Sequence, residues 1–451
     1  MTVLLRRHGI LFLSIVLLLC SWHLDSSHNA NTISRATLVA SLAEHGTLRI
    51  DRYHDLTEDK AHVGDHYYSE KAPLPSLLMV PIWWVAVETG VCDRSADGAI
   101  GDDLLRLCGL LCGSVPLAFI IFWIWRRMRR IDVPFAPSWL AILPMLGSYL
   151  FVYSGSFYGH LIAAFFLLIA WDRMKEDLNI SAGILSSAAV LSEYSLFVFP
   201  LIWCIQLAVS GRLKDLFRFI IGGLPGMILL LALNTMITGS PFQLPYTQVH
   251  AHADEQRILG LAAPAIDALI GLFFTPYRGM FIYAPVTVLC MVAILRRIGK
   301  MDLKSILLHP LILPSIGLVL LIASHSMWWG GWALGPRHLT AITVLIFAAG
   351  IPLIGWNSLF EWLFLLFSFI GLLVNFAAKS TIWFSAPTDV KDPIFGLIMP
   401  AFADGSFTTM QWPVQLGMGV LEATFLFFVV FILSLVLLRR LDERIGSDHA
   451  T

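Results

Sequence analysis

The sequence predicts an all-α polytopic membrane protein with about 12 transmembrane helices. Three observations carry this. The residues are 57% hydrophobic and only 14% charged, whereas soluble domains carry roughly 25% charged residues. Apolar stretches of about 20 residues recur along the chain, long enough to cross a hydrocarbon layer ~30 Å thick as helices. The basic residues cluster in alternate short connections, as they do on the cytoplasmic side of membrane proteins. The net charge of -1 excludes nucleic acid as a partner, because phosphate binding needs a basic face.

The first expected span, residues 10–24, follows Arg6 and Arg7. It reads as an uncleaved helix, because no small-x-small cleavage site follows Cys20. The next five spans are expected at 104–125, 137–153, 158–171, 180–194 and 195–210. Six more follow at 219–238, 281–295, 306–323, 339–355, 359–378 and 416–438. With both termini cytoplasmic, about 18 of the 30 Lys and Arg fall on short cytoplasmic ends. The RRMRR cluster at 126–130 is the densest of these. The run 75–91 (PSLLMVPIWWVAVETGV) is long and apolar, but a crossing there would turn RRMRR outward. Its prolines, Glu88 and paired tryptophans suit a helix lying in the membrane–water boundary. The run 264–274 reads the same way. The six cysteines show no disulfide or metal spacing.

The whole chain reads as one transmembrane domain, 1–451, with outer loops at 25–103, 239–279 and 379–415. Outer patches also stand at 153–160 (YSGSFYGH) and 324–338 (SHSMWWGGWALGPRH). The uncommon polar residues gather in these loops, so a hydrophilic substrate is expected on that face. Asp25 lies where the first helix leaves the membrane, and Asp51, Asp55 and Asp59 recur at spacing four in a loop-helix stretch. A carboxylate near apolar surface has its pKa raised toward the range of a general base, so Asp25, Asp51 and Asp59 are the candidate bases. Lys71, in YYSEKAP, and Arg35, Arg278 and Arg337 are cations beside apolar runs or at helix starts that disfavour positive charge. Converging on one groove, they would bind a phosphate or pyrophosphate. Tyr68, Glu70, His160, His325, Trp329 and Trp332 would line that groove, the tryptophans as stacking platforms for a sugar. Glu193 and Tyr194 read as caps of the outer loop. His54, His62 and His66 with Asp55, Asp59 and Asp65 match no closed metal site. No metal ligand is assigned, and a divalent metal stays open as a cofactor.

The order of these pieces resembles the GT-C superfamily of integral-membrane glycosyltransferases. In particular it resembles the branch of the lipid A aminoarabinose transferases and protein O-mannosyltransferases. ISRATLVASLAEHG and YYSEKAP stand here where that branch carries S-R-x-M-L-x-x-G and Y-F-E-K-P-P. The resemblance implies an inverting hexosyl or pentosyl transferase of the bacterial inner membrane, acting at its periplasmic face in the cell envelope. A polyprenyl-phosphate sugar would be the donor, and a lipid-linked glycan, lipid or protein hydroxyl the acceptor, with membrane lipids around it. The family base is an Asp, often Asp-Glu, near the end of the first helix. Here Asp25 is followed by Ser26 and Ser27 and stands one residue off the family position. Asp25 and Asp51 therefore rank about equal, with Asp59 third, and the metal that some members carry has no clear match. The alternatives are a flippase or transporter of a lipid-linked sugar and an O-antigen-type polymerase or ligase. A transporter usually shows an internal repeat, which this chain lacks, and a polymerase would carry its large loop late.

Overall fold

The computed structural model describes residues 3–131, 133–249 and 261–447. The chain is mostly helical, and among the described residues four helices are long and apolar enough to cross a membrane: Asp102–Met128, Leu213–Thr238, Ser358–Ser380 and Val420–Arg444. Shorter apolar helices, among them His8–Cys20, Asn179–Ser192 and Ile312–Ala323, fill the spaces between them. Several expected spans are interrupted. The 137–153 stretch divides into Pro137–Leu146 and Tyr149–Tyr153, and the 281–295 stretch into Met280–Tyr283 and Val286–Ile298. Pro285 lies at the second break; it cannot donate to a preceding turn. Asp102–Met128 carries a π turn at Leu110–Ser114. Beside it, a Cβ on Gly109 would strike the Gly155 carbonyl. Such broken segments are tolerable where protein, not lipid, surrounds the freed backbone groups.

Helix pairs approach closely at glycines. A Cβ on Gly183 would collide with the Phe219 carbonyl, and one on Gly222 with the Ile180 carbonyl, so Asn179–Ser192 and Leu213–Thr238 lie backbone to backbone. The core runs from Phe12 and Val16 through Leu117–Met128, Leu140–Leu168 and Leu339–Ile351 to Phe427. The outer surface of Leu213–Thr238 is apolar and open, with Phe217, Met227 and Ile228 exposed.

The first polar stretch is more ordered than its composition suggests. Ala30–His45 is a helix, capped by the Asn29 side chain accepting from the Asn31 N–H and ended by Gly46 in the left-handed region. The sequence SRATLVASLAEHG has the pattern of an amphipathic helix, yet Asn31–Ser41 are all buried. The stretch carrying Asp51, Asp55 and Asp59 is not helical beyond one 3-10 turn, His54–Leu56. It leads instead into an antiparallel hairpin, Lys60–Val63 paired with His66–Ser69. The run expected at 75–91 is the helix Leu74–Glu88. Its tryptophans divide: Trp83 is buried and donates to Glu44 at 2.8 Å, while Trp84 is exposed. The run expected at 264–274 is the helix Ile266–Phe273.

Candidate functional site

A cavity of about 740 Å³ opens between the Ala30–His45 helix, the end of the hairpin, and the loops around Glu193 and Trp328–His338. Its lining is chemically mixed. Arg35, Asp59, Glu70, Lys71, Glu193 and Arg337 share it with apolar residues such as Val190, Leu230, Leu321 and Trp332.

The segments carrying Asp59 and Lys71 are held by the Ala30–His45 helix. Ser34 Oγ donates to the Asp59 carbonyl at 2.5 Å and lies 2.9 Å from Ser69 Oγ. Thr57 Oγ1 donates to the Ala30 carbonyl at 2.8 Å. Arg35 Nη1 donates to the Ala72 carbonyl at 2.9 Å, and Ser76 Oγ donates to the Arg35 carbonyl at 3.0 Å. One helix face therefore holds the backbone on both sides of Asp59 and Lys71. Lys71 Nζ then bridges Asp59 Oδ2 at 2.8 Å and Glu70 Oε1 at 2.5 Å. Burial alone would lower the Lys71 pKa, but the Asp59 and Glu70 carboxylates overcome it and raise it.

Arg337 joins the cavity lining from the start of the 3-10 turn Arg337–Leu339. Its guanidinium lies 5.4 Å from the Tyr158 ring centre, a cation–π contact. Its Nε is buried without a hydrogen-bond partner. Gly330, with φ +75°, makes the room: a Cβ there would sit 2.8 Å from Arg337 Nε and 3.0 Å from His338 Nε2. Tyr158 also donates to Asn29 Oδ1 at 3.1 Å, which ties this part of the lining to the helix start.

Beside Arg337, His160, Glu193 and His338 converge. Their ligand-type atoms all lie within 4.8 Å of one another. His160 Nδ1 is 2.7 Å from Glu193 Oε2. The approach depends on Gly159, where a Cβ would collide with the Ser192 carbonyl.

The other expected site residues fall as follows. His325 and Trp332 border the cavity, with His325 Nε2 3.3 Å from the Tyr246 hydroxyl. Tyr68 and Trp329 do not border it. Arg278 is fully buried and spends its donors on the Trp329, Tyr277, Gly331 and Ala386 carbonyls. It braces the loops with four of its five N–H donors and does not border the cavity. Asp51 Oδ2 pairs with His66 and Oδ1 accepts from the Tyr67 N–H, so it serves the hairpin. Asp25 is buried and does not border the cavity, accepting from the Ser27 N–H and Oγ at 2.8 and 2.6 Å. Burial pushes its pKa up to about 6, against the hydrogen bonds from Ser27 and Ser156. His54 and His62 stack on Tyr67. The part of the second loop from 250 to 260 lies outside the described residues.

Two features escaped the sequence reading. Glu193 is a cavity residue rather than a loop cap. Lys379 is fully buried and donates to the Phe151 carbonyl and to both oxygens of Ser154. An acid and a histidine at neighbouring span ends, 193 and 160, were the available signal for the first. A lone lysine ending the apolar run LLVNFAAKS was the signal for the second. No family model, curated protein or solved structure matches this chain.

Proposed function

We propose that the protein is an inverting glycosyltransferase of GT-C type, with about 12 membrane crossings and both termini cytoplasmic. In this reading the cavity faces the outer side of a bacterial inner membrane. The observation that carries it is Arg337, a guanidinium with an unpartnered buried Nε in a cavity whose lining is largely apolar. A cation so placed calls for an anionic ligand. The apolar wall calls for a ligand that is largely hydrocarbon. A polyprenyl-phosphate sugar is both.

The donor phosphate would lie between Arg337 and Lys71, with Arg35 behind, and the exposed Trp332 beside the sugar. Of the three candidate aspartates, Asp59 borders the cavity and takes the role of base. An incoming phosphate competes with Asp59 for Lys71, which frees the carboxylate for the acceptor. The anomeric C–O bond to phosphate then breaks as the bond to the acceptor oxygen forms on the opposite face. The acceptor proton passes to Asp59, and the charge developing on the leaving phosphate is held by Lys71 and Arg337.

The test is transfer of radiolabelled sugar from polyprenyl-phosphate donors by the purified protein. Turnover that falls with Arg337→Ala and Asp59→Asn supports the reading. Absence of transfer and hydrolysis with every donor, together with donor movement across vesicle membranes, would replace it with the flippase alternative.

A further inference from the structure

We infer that His160, Glu193 and His338 form a binding site for a single divalent transition ion of the zinc class, open on one side to the cavity. The inference does not need the glycosyl-transfer reading. Two imidazoles and one carboxylate are the donor set of three-ligand zinc sites that keep a fourth position open. The three come from separate places: His160 begins the helix His160–Lys175, Glu193 follows the helix Asn179–Ser192, and His338 follows Arg337 in a 3-10 turn. Their convergence is built into the backbone at Gly159 and Gly330, where a side chain would strike Ser192 on one side and crowd His338 on the other.

The second observation is a polar atom left unspent. His160 is only 5% exposed, and its Nε2 has no hydrogen-bond partner. Glu193 Oε2 is also buried, and it lies 2.7 Å from His160 Nδ1 as an ion-pair partner. Leaving an atom such as His160 Nε2 unmet is costly in a protein interior, and an ion would satisfy it. Ligands of a tetrahedral ion with bonds of about 2.1 Å lie roughly 3.4 Å apart. The 2.7 Å contact would open slightly, and the wider separations, all within 4.8 Å, would close by side-chain rotation.

Charge agrees. Arg35, Lys71 and Arg337 face Asp59, Glu70 and Glu193 around the cavity, three cations against three carboxylates. A bound dication makes that balance +2, which suits a phosphate held between the open coordination position and Arg337.

The experiment uses the full chain in detergent, without a polyhistidine tag, stripped with chelator, reloaded with Zn2+ and desalted. Retained metal is measured by mass spectrometry, and Co2+ is titrated in parallel to read the visible bands of tetrahedral coordination. The expected result is one ion per chain, with affinity at least tenfold weaker in each of His160→Ala, Glu193→Gln and His338→Ala. His62→Ala, on the hairpin, should leave retention unchanged. Glu193→Gln keeps the side-chain shape, and monodisperse elution shows each variant folded. A wild-type chain holding no ion overturns the inference, as does retention that survives all three substitutions or is lost with His62→Ala. No sugar donor is present in any arm, so the outcome is independent of whether the protein transfers sugar.

Discussion

Lys71 Nζ and Asp59 Oδ2 are 2.8 Å apart, and the same ammonium also holds Glu70, whose side chain is 4% exposed. Removing one member of a buried ionic group leaves the others uncompensated and costs about 3–5 kcal/mol. Lys71→Met should therefore lower the unfolding temperature sharply, and Lys71→Met with Glu70→Gln should recover part of the loss. Differential scanning fluorimetry in detergent measures both. Because the Lys71 pKa is raised in the folded protein, this contribution is complete below the unfolded lysine value of about 10.4 and is lost only as pH rises through the folded one.

Arg337 is held by charge at longer range. Burial lowers its pKa, but Tyr158, Tyr153, Asp59 and Glu193 outweigh burial and raise it, so Arg337→Met should lower the unfolding temperature, though less than Lys71→Met does. Donor affinity should fall by about 10- to 100-fold, the worth of a hydrogen bond to a charged group at about 1.5–3 kcal/mol. Arg337→Lys should restore only part, since it lacks the planar fork. Equilibrium binding of a labelled polyprenyl phosphate reads the loss.

Asp25 supplies a pH test. Its folded pKa stands at about 6, above the ordinary value of 3.8, so the folded state keeps a proton that the unfolded chain has released. Stability should decline as pH rises from about 4 to about 6 and stay lowered above that. Asp25→Asn keeps an acceptor for Ser27 and removes the charge. Above pH 6 it should be more stable than wild type by on the order of 3 kcal/mol, a difference that vanishes below about pH 4. Denaturation midpoints across that range give the comparison.

Gly159 is the spacing element of the site. Gly159→Ala would press against the Ser192 carbonyl and push His160 away from Glu193. The expected cost is about 1–3 kcal/mol. Metal retention should drop with it, although no ligand atom is altered.

Much of the frame was readable in the sequence. The apolar lengths and the amphipathic pattern of 34–46 pointed to helices that are present, and YYSEKAP together with GWALGPRH delivered Lys71 and Arg337 to one cavity. The hairpin was missed because spacing-four aspartates were given a helical period. The Gly64–Asp65 turn between two short β-prone runs, with Gly64 at φ +61°, was the stronger sign. Arg278 was misjudged because a sequence displays charge but not the carbonyls that a fold brings to it. The His160–Glu193 pair was only half readable for a related reason. An acid and a histidine at neighbouring span ends were visible, but their contact depends on how closely the two helix ends pass, which Gly159 decides.

The helix Leu213–Thr238 has Leu230 on the cavity wall, while only 11% of its apolar window is covered by protein. Among the described residues, the wall on that side is therefore little more than this helix, about 10 Å across. Traffic in and out would then be governed by the sway of a single rod rather than by rearrangement of the bundle. A greasy tail of any length could stay outside while its head is held within. Exchange rates should thus follow how stiffly that rod is seated against Gly183, and not how long the tail is.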